Sequence, residues 1–259
     1  TSIIKDGLIT VINPITNQIV STVKCSDLET VQQAIQQAKS YKDWSSLSLK
    51  ERCSHIKQFR KIIVEHKDDI AKVLQDETGK KDFDILIEMF GLFEHLKHIS
   101  KIAKKALKPS PRNAGIMKNK KAYVLYEPLG VAGIISPWNY PLTTPISAVV
   151  EALLAGNTVV LKPSEHTPMT ALYVKKLWDD YIGFTHAFNI VCGGGEVGQM
   201  LVNSNYIDII CFTGSTHTGK LIAKACAETL KPVILELGGK DPMVVLNDAD
   251  LKRSVESAL

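Results

Sequence analysis

From Gly130 onward, short apolar runs alternate with stretches that have helical periodicity. Runs without polar alternation are typical of strands buried on both faces, and helical connections between such strands indicate parallel order. The pattern therefore predicts an α/β fold, a doubly wound parallel sheet with flanking helices. The predicted strands are Val131–Ile135, 158–161, 188–192, 207–212 and 233–235, and the predicted helices between them are 144–155, Pro168–Tyr181, 197–202 and 219–227.

The first third of the chain has the pattern of a helical region. Two capping boxes occur there, in which serine and glutamate side chains satisfy the free N–H groups of a first helical turn. Apolar residues within 56–74 keep largely to one helical face, and Gly79 supplies a stop. A further helix is predicted at 83–107. The capping boxes are Ser26-x-x-Glu29 and Ser48-x-x-Glu51.

Two further segments complete the organisation. Residues 112–129 are predicted to be an extended excursion between the helical region and the sheet. Near the end of the chain, 242–246 is predicted to be one more strand, followed by a helix over 248–259.

Composition narrows the possible partners. The chain has 259 residues, a net charge of +4 and 45% hydrophobic residues, which is ordinary for a globular protein. Its lysines are scattered without regular aromatic neighbours, so we interpret them as a solvated face and expect no nucleic-acid partner. No apolar run approaches the roughly 18 residues that span a membrane. Five cysteines without a CxxC pair are typical of free thiols, so we expect a cytoplasmic protein.

Chemically suspicious residues follow the predicted strands. In doubly wound sheets, ligands bind where loops leave the carboxyl ends of the strands. Five candidate positions follow a strand in this way: Asn139, Lys162, 193–198, Gly214 with Ser215, and Glu236.

Two glycine loops suggest phosphate binding. The first, Gly193-x-Gly195-x-x-Gly198, matches a dinucleotide fingerprint, but it opens the third strand–helix unit and lacks an acidic residue about 20 positions on. It is equally well a glycine-rich turn. The second, Gly214-x-x-x-x-Gly219-Lys220, is close to a P-loop but has Leu221 where Mg²⁺ coordination needs a hydroxyl. That loop disfavours ATP or GTP, although its helix N-terminus could still bind an uncomplexed pyrophosphate.

Four motifs in order resemble the NAD(P)-dependent aldehyde dehydrogenase superfamily. The resemblance covers roughly the first half of a family member and implies a Rossmann-like cofactor-binding domain over 1–111 and 130–238. It also implies an oligomerisation hairpin at 112–129, a homo-oligomer, and the start of a catalytic domain at 239–259. The motifs are Pro137-Trp138-Asn139-Tyr140-Pro141, Leu161-Lys162-Pro163-Ser164-Glu165, Phe212-Thr213-Gly214-Ser215-Thr216 and Glu236-Leu237-Gly238-Gly239-Lys240.

By resemblance, Lys162 and Glu165 bind the adenosine ribose of the cofactor. A carboxylate there repels a 2′-phosphate, so the resemblance favours NAD over NADP. Ser215 is similar to the family's pyrophosphate contact. Trp138 and Phe212 resemble the walls of the cofactor cleft, although large aromatic residues in apolar segments are also common core residues. The remaining expected cofactor contacts are Pro137, Ser164, Gly195, Gly214 and Leu237.

The same resemblance assigns two catalytic roles. Asn139 would donate to the oxyanion that forms when a thiolate attacks an aldehyde, and Glu236 would activate the water that hydrolyses the thioester. The alternatives are an asparagine that stabilises a turn and a buried carboxylate at a strand end. No cysteine here matches the family's nucleophile, because that residue lies further beyond Glu236 than this chain reaches.

The resemblance implies an NAD-dependent oxidation of a small aldehyde to its acid, through a thiohemiacetal and a thioester. We expect this chain alone to be inactive. Two alternatives stay open: a non-catalytic nucleotide-binding or assembly protein, and an acyl-CoA or acyl-phosphate reductase. Intact Asn139 and Glu236 argue against the first, and Glu236 argues against the second, because such reductases must avoid hydrolysis. His95 and His98 lie one helical turn apart without a third ligand, so no metal site is expected.

Overall fold

The computed structural model describes residues 2–258, whose strands form three sheets. The strands are β1 (Ser2–Lys5), β2 (Leu8–Ile12), β3 (Ile19–Lys24), β4 (Ser110–Arg112), β5 (Ala122–Val124), β6 (Val131–Ile135), β7 (Thr158–Lys162), β8 (Phe188–Ile190), β9 (Ile209–Gly214) and β10 (Val233–Leu237). The helices are α1 (Leu28–Ser40), α2 (Leu49–Glu65), α3 (Lys67–Thr78), α4 (Asp82–Ala106), α5 (Thr143–Leu154), α6 (Pro168–Tyr181), α7 (Gly195–Asn203), α8 (Thr216–Glu228) and α9 (Leu251–Ala258), with a 3-10 turn at Thr185–Ala187.

The central sheet confirms the predicted α/β class. Its five strands are parallel in the order β10-β9-β6-β7-β8, and β6 and β7 are buried along their whole length. Alternate residues of β6 enter opposite cores: Ala132 and Ile134 pack with α2, α4, α5 and α6, whereas Val131 and Ile135 pack with α1, α7 and α8. Helices therefore cover both faces, which is why these strands have continuous apolar sequences.

The prediction of a wholly helical first third is wrong for residues 2–24. These residues form an antiparallel sheet in the order β1-β2-β3. Ile9 and Val11 are its fully buried residues, while Ile3, Ile4 and Leu8 are substantially exposed. With so few positions facing a core, the sheet has a weak alternating pattern that the sequence does not reveal.

The helical boundaries need two corrections. Ser26 does not cap α1; Asp27 does, accepting from the Thr30 N–H at 2.8 Å, while the Ser26 hydroxyl accepts from the Cys192 N–H. The second capping box, from Ser48, is present as predicted. The apolar face over 56–74 is shared by two helices, α2 and α3, which meet at His66.

The two remaining segments differ in outcome. Within the excursion, β4 and β5 pair as an antiparallel hairpin. The predicted strand at 242–246 is wrong, because that segment has no strand partner and its residues are exposed. Helix α9 follows, inside the predicted 248–259, of which Leu259 lies outside the described residues.

Candidate active site at the carboxyl edge of the sheet

The candidate residues meet at one edge of the central sheet. Strand β6 runs into the Asn139 loop, β7 ends at Lys162, and β10 ends just after Glu236. The chain crosses from β8 at one end of the sheet to β9 on the other side of β6. This crossing makes the β6–β9 boundary a topological switch point, where a crevice opens for a ligand.

Lys162 is a buried and fixed cation. Its ammonium donates to the carbonyl oxygens of Pro163 and Gly193, each at 2.8 Å, and lies 3.5 Å from a carboxylate oxygen of Glu165. Burial lowers the pKa of Lys162, and the charge of Glu165 offsets part of that decrease. The Glu165 side chain is much more exposed than that of Lys162, so it can accept bonds from a ligand without breaking an internal contact.

Next to this pair lies a cavity of about 590 Å³. Lys162, Glu165 and Gly195 line it, as a shared ligand site requires. Its volume falls within the range that holds a nucleoside-sized ligand. Gly198 of the glycine fingerprint also lines it. The rest of the walls were not identified from sequence, because they come from α7, from α8 and from the end of β6: Ile135, Ser136, Gln199, Val202, Asn203, Thr218, Leu221, Ile222 and Ala225.

Three of the four helix N-termini at this edge are already capped by carboxylates. Glu88 of α4 caps α5 and Glu77 of α3 caps α6, while Glu196 lies in the first turn of α7. A carboxyl group at a helix N-terminus occupies its free N–H groups, so fewer of them remain for a ligand. The bonds run from the Leu142 and Thr143 N–H groups to Glu88 at 2.8 and 3.2 Å, from the Met169 and Thr170 N–H groups to Glu77 at 2.8 and 3.0 Å, and from the Gly194 N–H to Glu196 at 2.9 Å.

The N-terminus of α8 is different. Its cap is the neutral Ser215, which accepts from the Thr218 N–H at 3.2 Å, and the first turn is exposed. An anionic ligand at this edge therefore finds its favourable helix end at α8. The fingerprint at 193–198 is better explained as a turn, because Glu196 occupies the donor that a phosphate would use.

Glycines in the P-loop-like motif serve packing. A side chain at Gly219 would come within 2.5 Å of Leu237, and one at Gly214 would come within 2.5 Å of the Phe212 ring. Phe212 itself is 5% exposed and belongs to the core. The two glycines of the P-loop-like motif thus leave room for the Phe212 ring within β9 and for the Leu237 side chain of β10.

The loop that carries Asn139 borders a second cavity, of about 560 Å³. Trp138 and Asn139 are exposed, and Pro137 is half-buried. Ser164, by contrast, is buried in the next loop, where its hydroxyl accepts from the His166 N–H at 3.2 Å. The other residues that line this cavity are Pro14, Glu77, Thr78, Lys80, His166 and Thr167.

Glu236 and Leu237 end strand β10, which lies at the edge of the sheet. Glu236 pairs in register with Thr213, and Leu237 pairs with Gly214. Both are exposed. The alternative that Glu236 is a buried carboxylate at a strand end is therefore not met within residues 2–258, where the residue is exposed.

The cysteines have the properties of packing thiols. Burial raises the pKa of Cys192 to about 11, and burial also raises the pKa of Cys25, Cys211 and Cys226. The thiolate is the nucleophilic form, so these thiols are poorly suited to attack a carbonyl at neutral pH. All five cysteines are free.

Other features of residues 2–258 do not indicate a metal site or a membrane-spanning helix. His95 and His98 each lie 3.3 Å from a glutamate oxygen, and no group of metal-ligating side chains occurs among residues 2–258. No helix in that range is both long and apolar enough to cross a membrane. A larger groove, of about 1040 Å³ between α1 and α7, includes Glu196 of the candidate segment 193–198 but none of the other predicted site residues, so size alone does not locate the site.

Comparison with known proteins identifies the family. The aldehyde dehydrogenase family model matches residues 4–259. This chain belongs to the aldehyde dehydrogenase family. Among its relatives is betaine aldehyde dehydrogenase of Vibrio vulnificus (strain CMCP6), which is 33% identical over 250 residues, covering 96% of this chain and 51% of the relative.

Solved structures of aldehyde dehydrogenases share the fold. An NAD+ complex of the Bacillus cereus aldehyde dehydrogenase aligns with a TM-score of 0.89 and 32% identity, covering 100% of this chain and 52% of that one. An NADP-dependent enzyme from E. coli aligns with a TM-score of 0.88 and 32% identity, covering 97% of this chain and 52% of that one. The chain thus spans about half the length of the aldehyde dehydrogenases it matches.

Proposed function

We propose that this chain provides the NAD-binding and acid–base part of an NAD-dependent aldehyde dehydrogenase, and that it has no activity by itself. The observation that carries the proposal is the carboxyl edge of the sheet. There a buried lysine, an accessible carboxylate and a single helix end without a carboxylate cap surround one crevice. That arrangement fits a ligand with ribose hydroxyls at one end and a pyrophosphate further along.

The residues fit NAD in a definite way. Lys162 and Glu165 hold the adenosine ribose, and the N-terminus of α8, with Ser215 and the N–H groups after it, holds the pyrophosphate. Glu165 selects NAD, because a 2′-phosphate would bring a second negative charge to its carboxylate. Solved relatives include both an NAD complex and an NADP-dependent enzyme, so the fold does not decide this choice and Glu165 carries it.

The proposed chemistry uses two residues of this chain. NAD accepts a hydride when it is bound. The side-chain amide of Asn139 donates a hydrogen bond to the oxygen of the aldehyde as negative charge develops there. Glu236 takes a proton from the water that hydrolyses the acyl intermediate, a role that requires its carboxylate to be enclosed. The nucleophile must come from outside these 259 residues.

Calorimetry tests the cofactor assignment with the chain itself. We expect NAD to bind with a dissociation constant of about a millimolar, near −4 kcal/mol, and NADP more weakly. Replacing Glu165 with Gln should shrink the preference for NAD by about tenfold, or ~1.4 kcal/mol. Glu228→Gln, an exposed change on α8, is the matched control. Equal binding of both cofactors by the unchanged chain would refute the assignment.

A hybrid enzyme tests the catalytic roles. The chain would be joined to the C-terminal half of the Vibrio vulnificus betaine aldehyde dehydrogenase, and NADH formation from betaine aldehyde would be measured. Asn139→Ala should lower kcat by about 10²–10³-fold, which is typical of losing one oxyanion donor. Glu236→Gln should block hydrolysis while leaving a single burst of NADH. A folded, active hybrid that is indifferent to both changes would remove these residues from the mechanism.

Assembly and location remain part of the proposal. The β4–β5 hairpin exposes Tyr123 and, just beyond it, Leu125 and Tyr126, which fits an oligomerisation element over 112–129. A homo-oligomer and a domain boundary near 239 follow from the same assignment. A cytoplasmic location is suggested by the five free cysteines.

A further inference from the structure

Lys80, just after α3, reaches into the middle of the Asn139 loop. Its ammonium donates to the main-chain carbonyl of Asn139 at 2.7 Å and lies 2.5 Å from a carboxylate oxygen of Glu88. The same ammonium lies 4.4 Å from the centroid of the Tyr140 ring, a cation–π contact. One lysine therefore contacts two consecutive residues of the loop and a carboxylate beneath it.

Glu88 connects this lysine to the next helix. Its side chain is completely buried, and its other carboxylate oxygen accepts from the Leu142 and Thr143 N–H groups at the start of α5. The Thr143 hydroxyl in turn donates to the main-chain carbonyl of Glu88 at 2.7 Å. The far end of the Asn139 loop is thus fixed to α4 by three bonds, and the middle of the loop is fixed through Lys80.

By contrast, the side chain of Asn139 lines the cavity beside Trp138 and Lys80. Its carboxamide is exposed and has no hydrogen-bond partner among residues 2–258. Within residues 2–258, the hydrogen bond that fixes Asn139 is therefore made by its main chain. An oxyanion donor is useful only if it is aimed before charge develops, and a misplacement of about 1 Å can cost about a hundredfold in rate.

We propose that Lys80 and Glu88 are positioning residues that aim the Asn139 carboxamide, an inference that rests on the proposed function. Neither touches the reacting atoms. Glu88 is the buried anchor that holds α5, and Lys80 transmits that anchor to the carbonyl of Asn139. The buried pair is energetically coupled, because removing one charge leaves the other desolvated and unpaired.

The variants must separate the tie to Asn139 from the cap on α5. Lys80→Met alone leaves Glu88 buried without its partner and can unfold the protein. The double variant Lys80→Met/Glu88→Gln avoids this, since the amide oxygen of the replacement side chain still accepts from the N–H groups of α5. Lys80→Arg keeps a cation that can reach the carbonyl. Lys39→Met is the control for the loss of a lysine ion pair elsewhere, because Lys39 pairs with Asp208 at 2.8 Å in a more exposed site away from this loop.

The measurement is NMR of the chain without cofactor, with circular dichroism to verify folding. In the unchanged chain, in Lys80→Arg and in Lys39→Met, the backbone order parameters of Asn139 and Tyr140 should be about 0.85. In the double variant they should fall below about 0.6, and the side-chain amide signal of Asn139 should shift and broaden. A folded double variant with unchanged order parameters and an unchanged Asn139 amide signal would overturn the proposal.

The same samples distinguish this inference from the proposed function. NAD contacts through Lys162, Glu165 and α8 do not involve the tie, so the NAD dissociation constant of the double variant should stay within about twofold of the unchanged chain. If no sample binds NAD, the proposed function fails while the order parameters still decide whether Lys80 fixes the loop. If the loop loosens in Lys39→Met as well, the effect is global and the inference is wrong.

Discussion

Lys162 and Glu236 both lie at the carboxyl ends of parallel strands in one sheet, yet their surroundings are opposite. Lys162 ends the interior strand β7, is buried, and has its ammonium fixed by two carbonyls. Glu236 ends the edge strand β10 and faces solvent. Under the proposed function, the residues that anchor the cofactor at Lys162 are held by elements of this chain. The acid–base side is an exposed carboxylate that still needs an enclosure.

Turnover is the sharpest test of this contrast. Because the proposed mechanism needs a nucleophile that none of these residues supplies, the 259-residue chain with NAD and a panel of aldehydes should form NADH at least ~10³-fold more slowly than a typical enzyme kcat of about 10 s⁻¹. The assay is absorbance of NADH, with the complete Bacillus cereus aldehyde dehydrogenase as positive control. Turnover that persists after all five cysteines are replaced by alanine would contradict it.

Buried and exposed carboxylates at this edge of the sheet should contribute very differently to stability. Glu88→Ala removes a buried carboxylate that caps α5 and pairs with Lys80, and should lower the free energy of unfolding by about 3–5 kcal/mol. Glu236→Ala, at an exposed position, should change it by less than about 0.5 kcal/mol. Urea unfolding followed by circular dichroism measures both. Similar losses from the two substitutions would mean that burial does not divide the site as described.

The buried carboxyl group of Glu77 should make the stability of the fold depend on pH. Burial raises the pKa of Glu77 from 4.5 to about 7, because desolvation outweighs its bonds from Met169 and Thr170. The folded state then binds more protons than the unfolded state between these values. The contribution of Glu77 to stability is therefore greatest below about pH 4.5 and falls by about 3 kcal/mol as pH rises to about 7.

The comparison that isolates this effect is Glu77→Gln, which cannot ionise. Urea unfolding of both proteins should be measured from pH 4.5 to 9. The difference in unfolding free energy between them should change from pH 4.5 to about 7 and level off at higher pH. A difference that stays the same at every pH would show that Glu77 is ionised throughout.

The smallest expected effect concerns the exposed side. Residues 242–258 are almost entirely exposed, with Val244, Val245 and Leu246 forming an apolar run and Leu251 and Val255 on α9. Deleting 242–259 should change the unfolding free energy by less than about 1 kcal/mol, but should reduce self-association seen by light scattering. If the unchanged chain is already a monomer with equal solubility, this run is not an interface.

The predictability of the fold followed burial. Strands β6 and β7 are apolar at nearly every position because helices cover both their faces, so the sequence predicted them within about a residue. The N-terminal sheet was missed, since most of its residues are exposed. The run at 242–246 misled in the opposite direction: apolar β-branched residues predict a strand, but a strand needs a partner to bond with.

Site residues were predictable where they follow strands, and not where helices bring them in. Lys162 and Glu165 lie together as expected. Glu77, Lys80 and Glu88 were missed, because their bonds to residues 139–170 span more than 50 positions of the chain and depend on how α3 and α4 pack against α5 and α6. The one local signal was a pair of glutamates inside otherwise apolar helical faces, which burial would make costly unless they were bonded.

The fixed ammonium of Lys162 has a consequence for the entropy of ligand binding. A free lysine side chain loses roughly 1.5–2 kcal/mol of conformational entropy when it becomes ordered. Here the carbonyls of Pro163 and Gly193 have already ordered it during folding. A ligand that meets Lys162 therefore encounters a rigid donor, and the entropy lost on binding comes chiefly from the ligand and from the more exposed carboxylate of Glu165 rather than from the lysine.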